Sequence, residues 1–189
     1  EIRTPLNAII GMSELARQTL DNKEKLAGYI DKIHYSSFQL KNLIDDILDL
    51  SRMAEGRLDL NNQKIDLRQC VQDCLDAYRV QAEMEHKSLQ ASMELENAWV
   101  MADPVRIGQL LNNLLSNAFK FTPEGGEIRV GLQKEPGQIR VTISDSGIGM
   151  SEETIERIFE KFYQGDASHG THGNGLGLTL AKRIVDLHG

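Results

Sequence analysis

Cysteine is nearly absent: the 189 residues hold two, Cys70 and Cys74. They stand one helical turn apart with no further Cys or His at ligand spacing. That excludes a disulfide framework and leaves free thiols in a reducing compartment. Long apolar runs are missing as well. Nothing approaches the roughly 20 residues that cross a bilayer, and no signal peptide is visible. Excess positive charge is lacking, since 21 Lys and Arg against 28 Asp and Glu give a net charge of −7. Nucleic-acid binding through a general positive field is thereby excluded. There is no internal repeat and no low-complexity tract. The chain opens on Glu1, without a Met, directly in helix-like sequence, and stops at Gly189 just after another helix; both ends read as cuts through a longer protein.

What is present describes a folded, soluble chain. Hydrophobic residues make up 40% and charged residues 26%, and the length suits two modest domains. Ile2, Leu6, Ile9, Ser13, Ala16 and Leu20 alternate by four and three, a heptad seam. Pro5 inside it predicts a kink or a lost backbone bond near residues 1–5. After a polar break at Asp21 and Asn22, a second seam runs Leu26, Ile30, Ile33, Ser37, Leu40, Ile44, Ile47, Ser51. Two such helices joined by a tight turn make an antiparallel hairpin. A lone hairpin cannot cover both seams, so a homodimeric four-helix bundle is expected from residues 1–55.

Residues 56–63 read as a linker, and from Lys64 the periodicity changes. A short strand at Lys64–Leu67 precedes a helix from Arg68 to about Glu85. Strands follow near Ser88–Glu94 and Trp99–Met101, and Asp103-Pro104 opens a further helix. Ile128, Val130 and Leu132 share one strand face, and Ile139, Val141 and Ile143 another, with Glu135-Pro136-Gly137-Gln138 as the turn. Residues 64–189 are therefore expected to form a two-layer α/β sandwich, and the whole chain is of α+β class.

The helix begun at Asp103 carries the chemistry. On it Arg106, Asn113, Asn117 and Lys120 fall within roughly 60° of one another, beside an apolar arc of Ile107, Leu111, Leu114, Leu115 and Ala118. Carboxamide oxygens can ligate Mg²⁺ and a lysine can balance phosphate; a solvated polar edge is the plainer alternative. Asp145 continues the phase of 139, 141 and 143, which points its carboxylate to the covered side of the sheet. Such a group needs a partner, for which an adenine amino group is suited. Ser146-Gly147-Ile148-Gly149 lets the backbone turn closely beside it. Gly165 to Gly177 is glycine-rich and runs into a helix at Leu178–His188, an arrangement that suits phosphate. Phe159 and Phe162 are expected to anchor that loop, and His169 and His172 lack partners for a metal.

In order, the chain reads NNLLSNAFKFT, DSGIGM, FEKFY and GNGLGL. The set resembles the N, G1, F and G2 boxes of sensor histidine kinases. Glu1-Ile2-Arg3-Thr4-Pro5-Leu6 resembles the segment that follows the phosphoacceptor histidine in the same family. The resemblance implies an ATP-binding domain of the GHKL (Bergerat) type and ATP with Mg²⁺ as cofactors. It implies Asn117 as the Mg²⁺ ligand, Asn113 beside it, Lys120 on the phosphates and Asp145 on the adenine. Gly147 and Gly149 would line the adenine turn and Phe162 the site's edge. Gly173, Gly175, Leu176, Gly177 and Leu178 would close over the triphosphate. Glu1 would act as a base on the acceptor imidazole, and Thr4 would position water for phosphatase action on a response regulator.

Departures from the family are expected at both ends. The acceptor histidine would stand just before Glu1, and strands usual after the last helix do not follow. His34 has neither the acidic neighbour nor the proline context and reads as a bundle or surface residue. The implied activity is transfer of the ATP γ-phosphoryl to a histidine and then to a response-regulator receiver aspartate. The implied location is cytoplasmic, with any membrane anchor outside this stretch. Two other readings stay open: a dimeric nucleotide-binding scaffold that regulates a partner, and an ATPase of the gyrase, chaperone and mismatch-repair group. The latter is disfavoured because no Glu or Asp occurs between Val105 and Pro123 to activate water.

Overall fold

The computed structural model describes residues 2–93, 95, 97–165 and 174–189. Its chain divides into two units, Glu1–Arg57 and Leu58–Gly189. No helix among the described residues is long and apolar enough to cross a membrane.

The first unit is a helical hairpin, α1 (Arg3–Gln18) and α2 (Lys23–Ala54). Pro5 falls in the first turn of α1, where its missing N–H would have no helical partner, so the helix runs through it. Asn22 caps α2, its side chain accepting from the Lys25 N–H at 3.0 Å. At about 100° per residue the Leu and Ile residues of α2 spread over an arc of about 160°, wider than one neighbouring helix covers. Burial changes steadily across it. Ser36, Leu43 and Leu50 at one edge are buried, and Ile33, Leu40 and Ile47 in the middle are half-buried. Ile30, Ile44 and Leu48 at the other edge are exposed. Of the seam expected through Leu26, Ile30, Ile33, Ser37, Leu40, Ile44, Ile47 and Ser51, Leu26, Ile33, Leu40 and Ile47 are half-buried, whereas Ile30, Ser37, Ile44 and Ser51 are exposed. The inward edge of the helix lies at 36, 43 and 50.

The second unit contains β1 (Gln63–Asp66), α3 (Leu67–Met84), β2 (Ser88–Met93), β3 (Trp99–Ala102), α4 (Pro104–Phe121), β4 (Glu127–Glu135), β5 (Gln138–Asp145), α5 (Glu152–Arg157) and α6 (Gly177–His188). β1 pairs antiparallel with β3 in a small separate sheet. In the larger sheet β4 is central, parallel to β2 and antiparallel to β5. Glu135 pairs with Gln138, leaving Pro136 and Gly137 as the turn, and Gly137 takes φ +78°.

Alternation decides the layers. Ile128, Val130 and Leu132 of β4 are buried with Leu111, Leu115, Ala118 and Phe119 of α4 and Val71 and Leu75 of α3. The opposite face presents Gln90, Ser92, Arg129, Gln133, Thr142 and Ser144 to solvent around an open groove. This is the expected two-layer sandwich. A tilted ring pair, Tyr78 and Phe119 with centroids 4.8 Å apart, joins α3 to α4. The Tyr78 hydroxyl donates to Asn112 Oδ1 at 2.8 Å, and burial pushes its pKa up to about 12. The six-residue α5 went unexpected: it is too short for an apolar period, and only the cap at Ser151, accepting from the Thr154 N–H, signals it.

Candidate functional site

The site is built on α4, which is fixed at both ends. Asp103 is its N-cap: Oδ1 accepts from the N–H groups of Val105 at 2.9 Å and Arg106 at 3.2 Å, and Oδ2 from Asn61 N–H at 3.0 Å. Burial would raise the Asp103 carboxyl, but these N–H donors and the Arg106 charge hold it below its ordinary value. Pro104 occupies the first helical turn, as expected. At the other end the buried Lys87 ammonium donates to the Phe119 carbonyl at 2.6 Å and to the Glu85 carboxylate at 2.6 Å. That satisfies a carbonyl the helix itself leaves free and places positive charge at the negative end of the dipole.

Between these fixed ends Asn113, Asn117 and Lys120 are half-buried, whereas their apolar neighbours Leu111, Leu115 and Ala118 are buried. Asn113 Nδ2 is fully buried without a hydrogen-bond partner among the described residues, a state that costs about 1–3 kcal/mol. The start of α6 lies against it: a Cβ on Gly177 would stand 3.6 Å from Asn113 Oδ1. No side-chain cap serves this helix start, which lies beside Asn113 of the asparagine stripe. Burial lowers the Lys120 pKa, and no acidic group offsets it; the ammonium lies 4.8 Å from the centre of the Phe121 ring. This end offers carboxamides, a lysine and helix-start N–H groups together, a set suited to phosphate.

The other end lies two turns along, about 12 Å from Asn113 at the rise of a helix. Asp145 pairs across the sheet with the fully buried Ile128, so it does sit in the phase of the covered face. The carboxylate itself is exposed, which corrects the expectation of a buried one: Asp145 ends its strand, and among the described residues no layer continues over it. Its Oδ1 accepts from the Gly147 N–H at 2.9 Å. Gly147 has no alternative here, because a Cβ would meet the Phe121 carbonyl oxygen at 2.5 Å. The Ile148 N–H donates to that same oxygen at 3.3 Å. The turn is thus bound to the last residue of α4. Gly149 follows at φ +68°, and Ile148 and Met150 expose apolar side chains beside the carboxylate.

Phe159 and Phe162 were expected to anchor the glycine-rich loop, most of which lies outside the described residues; their rings are 43% and 49% exposed. Their backbone ties the described end of the loop and the start of α6. The Phe162 N–H donates to the Gly175 carbonyl at 2.9 Å, and the Phe159 carbonyl accepts from Thr179 Oγ1 at 3.0 Å. Phe162 takes φ +63°, a left-handed conformation costing about 1–2 kcal/mol in a non-glycine residue. Gly175, itself at φ +64°, lets the two backbones approach, since a Cβ would stand 2.7 Å from the Tyr163 oxygen. Leu176 is buried and Leu178 half-buried. Glu1, Gly173, His169 and His172 lie outside the described residues. Thr4 is exposed on the first turn of α1, in the other unit.

Asp103, Asn61, Lys87 and His188 were not expected at the site. Only the cap at Asp103 had a local signal; its ties to Asn61 and His188 span 42 and 85 residues. No group of three His, Cys, Asp or Glu side chains that could hold a metal occurs among the described residues. A Mg²⁺ ion here would be held by the Asn117 carboxamide with substrate phosphates and water, which is how that ion is commonly bound.

Comparison with known proteins agrees with this geometry. Residues 1–56 match the His Kinase A (phospho-acceptor) domain family, and residues 102–189 match the histidine kinase-, DNA gyrase B- and HSP90-like ATPase family. Histidine protein kinase DivJ of Caulobacter vibrioides is 36% identical over 192 residues, covering 100% of this chain and 32% of that protein. Circadian input-output histidine kinase CikA of Synechococcus elongatus is 38% identical over 195 residues, covering 100% of this chain and 26% of that protein. The chain thus spans a third or less of these relatives' length. Among solved structures, histidine kinase ThkA in complex with response regulator protein TrrA superposes with a TM-score of 0.76 at 26% identity, over 100% of this chain and 52% of that one. Full-length ShkA in complex with AMPPNP gives 0.75 at 26% identity, over 97% and 38%. With two family domains in succession and kinase relatives matched from end to end, the chain belongs to the sensor histidine kinases, of which it is a core joining phospho-acceptor and ATPase domains.

Proposed function

We propose that residues 64–189 bind Mg·ATP along α4 and that residues 1–55 form the dimerisation and phosphotransfer element. The observation that carries this reading is the meeting of Asn113, with its buried Nδ2 unpartnered among the described residues, and the uncapped start of α6 at Gly177. The triphosphate lies there, with Asn117 as the protein's Mg²⁺ ligand and Lys120 on the phosphates. Gly175, Leu176, Gly177 and Leu178 border it. The adenine lies at the other end, its amino group donating to Asp145 beside Gly147 and Gly149, with Phe162 at the rim. Mg²⁺ supplies neutralisation of phosphate charge when bound. The protein's own part is positioning and charge complementarity, as in phosphoryl transfer generally.

The acceptor is a histidine. α1 carries none, and the hairpin's single histidine, His34, is exposed on α2 and is followed by Tyr35 rather than by an acidic residue. Glu1 serves as the base on the acceptor imidazole. A second copy covers the exposed edge of α2, making a homodimer, and a response-regulator aspartate receives the phosphoryl; Thr4 serves the reverse, phosphatase reaction. The neighbour solved with a response regulator and the one solved with AMPPNP support both partners.

Calorimetric titration of the 189-residue chain with ATP tests the reading, with and without Mg²⁺. Metal-dependent binding is expected, and no acid-labile label from γ-labelled ATP. Failure to bind would favour the scaffold reading, and acid-labile label on this chain would make one of its own histidines, with His34 the first candidate, the acceptor.

A further inference from the structure

Helix α6 starts at the phosphate end of the site, and something must set its direction. At its far end His188 makes two hydrogen bonds through one ring. Nε2 lies 3.1 Å from the Asp103 backbone nitrogen, and Nδ1 lies 2.8 Å from the Ile184 carbonyl. The Asp103 N–H can only donate, so Nε2 must accept, which puts the ring proton on Nδ1 and leaves the imidazole neutral. The residue that donates this bond is the one whose carboxylate caps α4 and holds Asn61. The bond therefore joins the C-terminal end of α6 to the N-terminal end of α4. The two helices meet again at Gly177 and Asn113. The 12-residue helix thus lies against α4 at both of its ends.

We propose that His188 is a positioning residue for the triphosphate. Through Asp103 it sets the angle between α4 and α6, and so aims the helix-start N–H groups of α6 at the space beside Asn113 and Asn117. The inference rests on the Mg·ATP reading above. It goes beyond it by giving a role in phosphate binding to a side chain at the opposite end of α6 from the phosphates.

The prediction is selective. His188→Ala should weaken ATP and ADP binding by about three- to tenfold, the loss of one hydrogen bond. Adenosine, which reaches only the Asp145 end, should bind as tightly as to the parent. His188→Gln presents an amide oxygen at the position of Nε2 and should recover most of the ATP affinity. Calorimetry on the full 189-residue chain reads all three, with circular dichroism to confirm the fold. Equal losses for ATP and adenosine, or no loss for either, would overturn the positioning role while leaving the nucleotide reading intact. Failure of the Gln variant to recover would do the same. A parent chain that binds no ATP overturns both.

Discussion

The two units of this chain stand differently with respect to their own apolar residues. In the second, α3, α4 and the larger sheet close over Leu75, Leu115, Phe119, Ile128 and Leu132, each at most 2% exposed. In the first, Ala16 is the buried residue of α1, and Ile10, Ile30, Ile44 and Leu48 remain 43–53% exposed. The ATPase unit completes its core within one chain. The hairpin presents half of one. The cause is the width of the apolar arc on α2, which one neighbouring helix cannot cover.

The sharpest break of that comparison pairs one substitution in each unit. Leu115→Ala should destabilise the second unit by about 2–5 kcal/mol whatever the protein concentration, because the cavity lies inside one chain. Ile44→Asp should leave that unit's unfolding unchanged and convert a dimer to monomers. Sedimentation with thermal unfolding at two concentrations reads both. A monomeric parent, or an Ile44→Asp variant that still dimerises, would show that the exposed edge is not the seam between copies.

Next in size is the adenine end. Asp145→Asn replaces an acceptor oxygen with a donor facing a donor, so ATP affinity should fall by roughly 1.5–3 kcal/mol, on the order of tenfold to a hundredfold, with or without metal. Asn117→Asp should instead act mainly through its Mg²⁺ dependence. Calorimetry at two Mg²⁺ concentrations separates them, and unchanged affinity in the Asp145 variant would move the adenine elsewhere.

The smallest effect is one of pH. Burial lowers the Lys120 pKa below its ordinary 10.5, so the folded chain holds this proton less tightly than the unfolded chain. Stability from this group therefore rises with pH between the depressed value and 10.5, the reverse of a lysine that gains a partner. Bound phosphate favours the charged form, so nucleotide affinity should fall as pH rises through the depressed value. Lys120→Arg keeps its charge and should flatten that decline in a binding titration across the alkaline range. A parallel decline in both proteins would assign it to another group.

Much of this was legible in the sequence because local period encodes it. The stripe of Asn113, Asn117 and Lys120 falls on one side of α4 by helical spacing alone, and Ile128, Val130 and Leu132 face the core by strand alternation. What was not legible has a common physical form. Period gave the phase of Asp145 correctly but not its exposure, which depends on where the covering layer stops. It marked α2 as apolar over a broad arc without saying which edge its own chain would bury. It was silent on the ties of Lys87 to Phe119 and His188 to Asp103, because they join residues 32 and 85 positions apart. It was equally silent on Phe162, whose ring resembles an anchor while its backbone does the anchoring.

The two sheets also constrain how the second unit can be made. β1 at 63–66 waits for β3 at 99–102, and β2 at 88–93 waits for β4 at 127–132, so the two pairings overlap along the chain. Only β4 and β5 are joined by a local turn. The hairpin of the first unit needs only neighbours in sequence and should form early. The interleaved sheets need long closures and should form late and together, since contacts distant in sequence slow folding. Any cut of the chain between Asp66 and Glu127 parts strands that belong to each other. Helix α4, with Asn113, Asn117 and Lys120, lies within that span, so this unit cannot be divided into smaller pieces that keep both sheets whole.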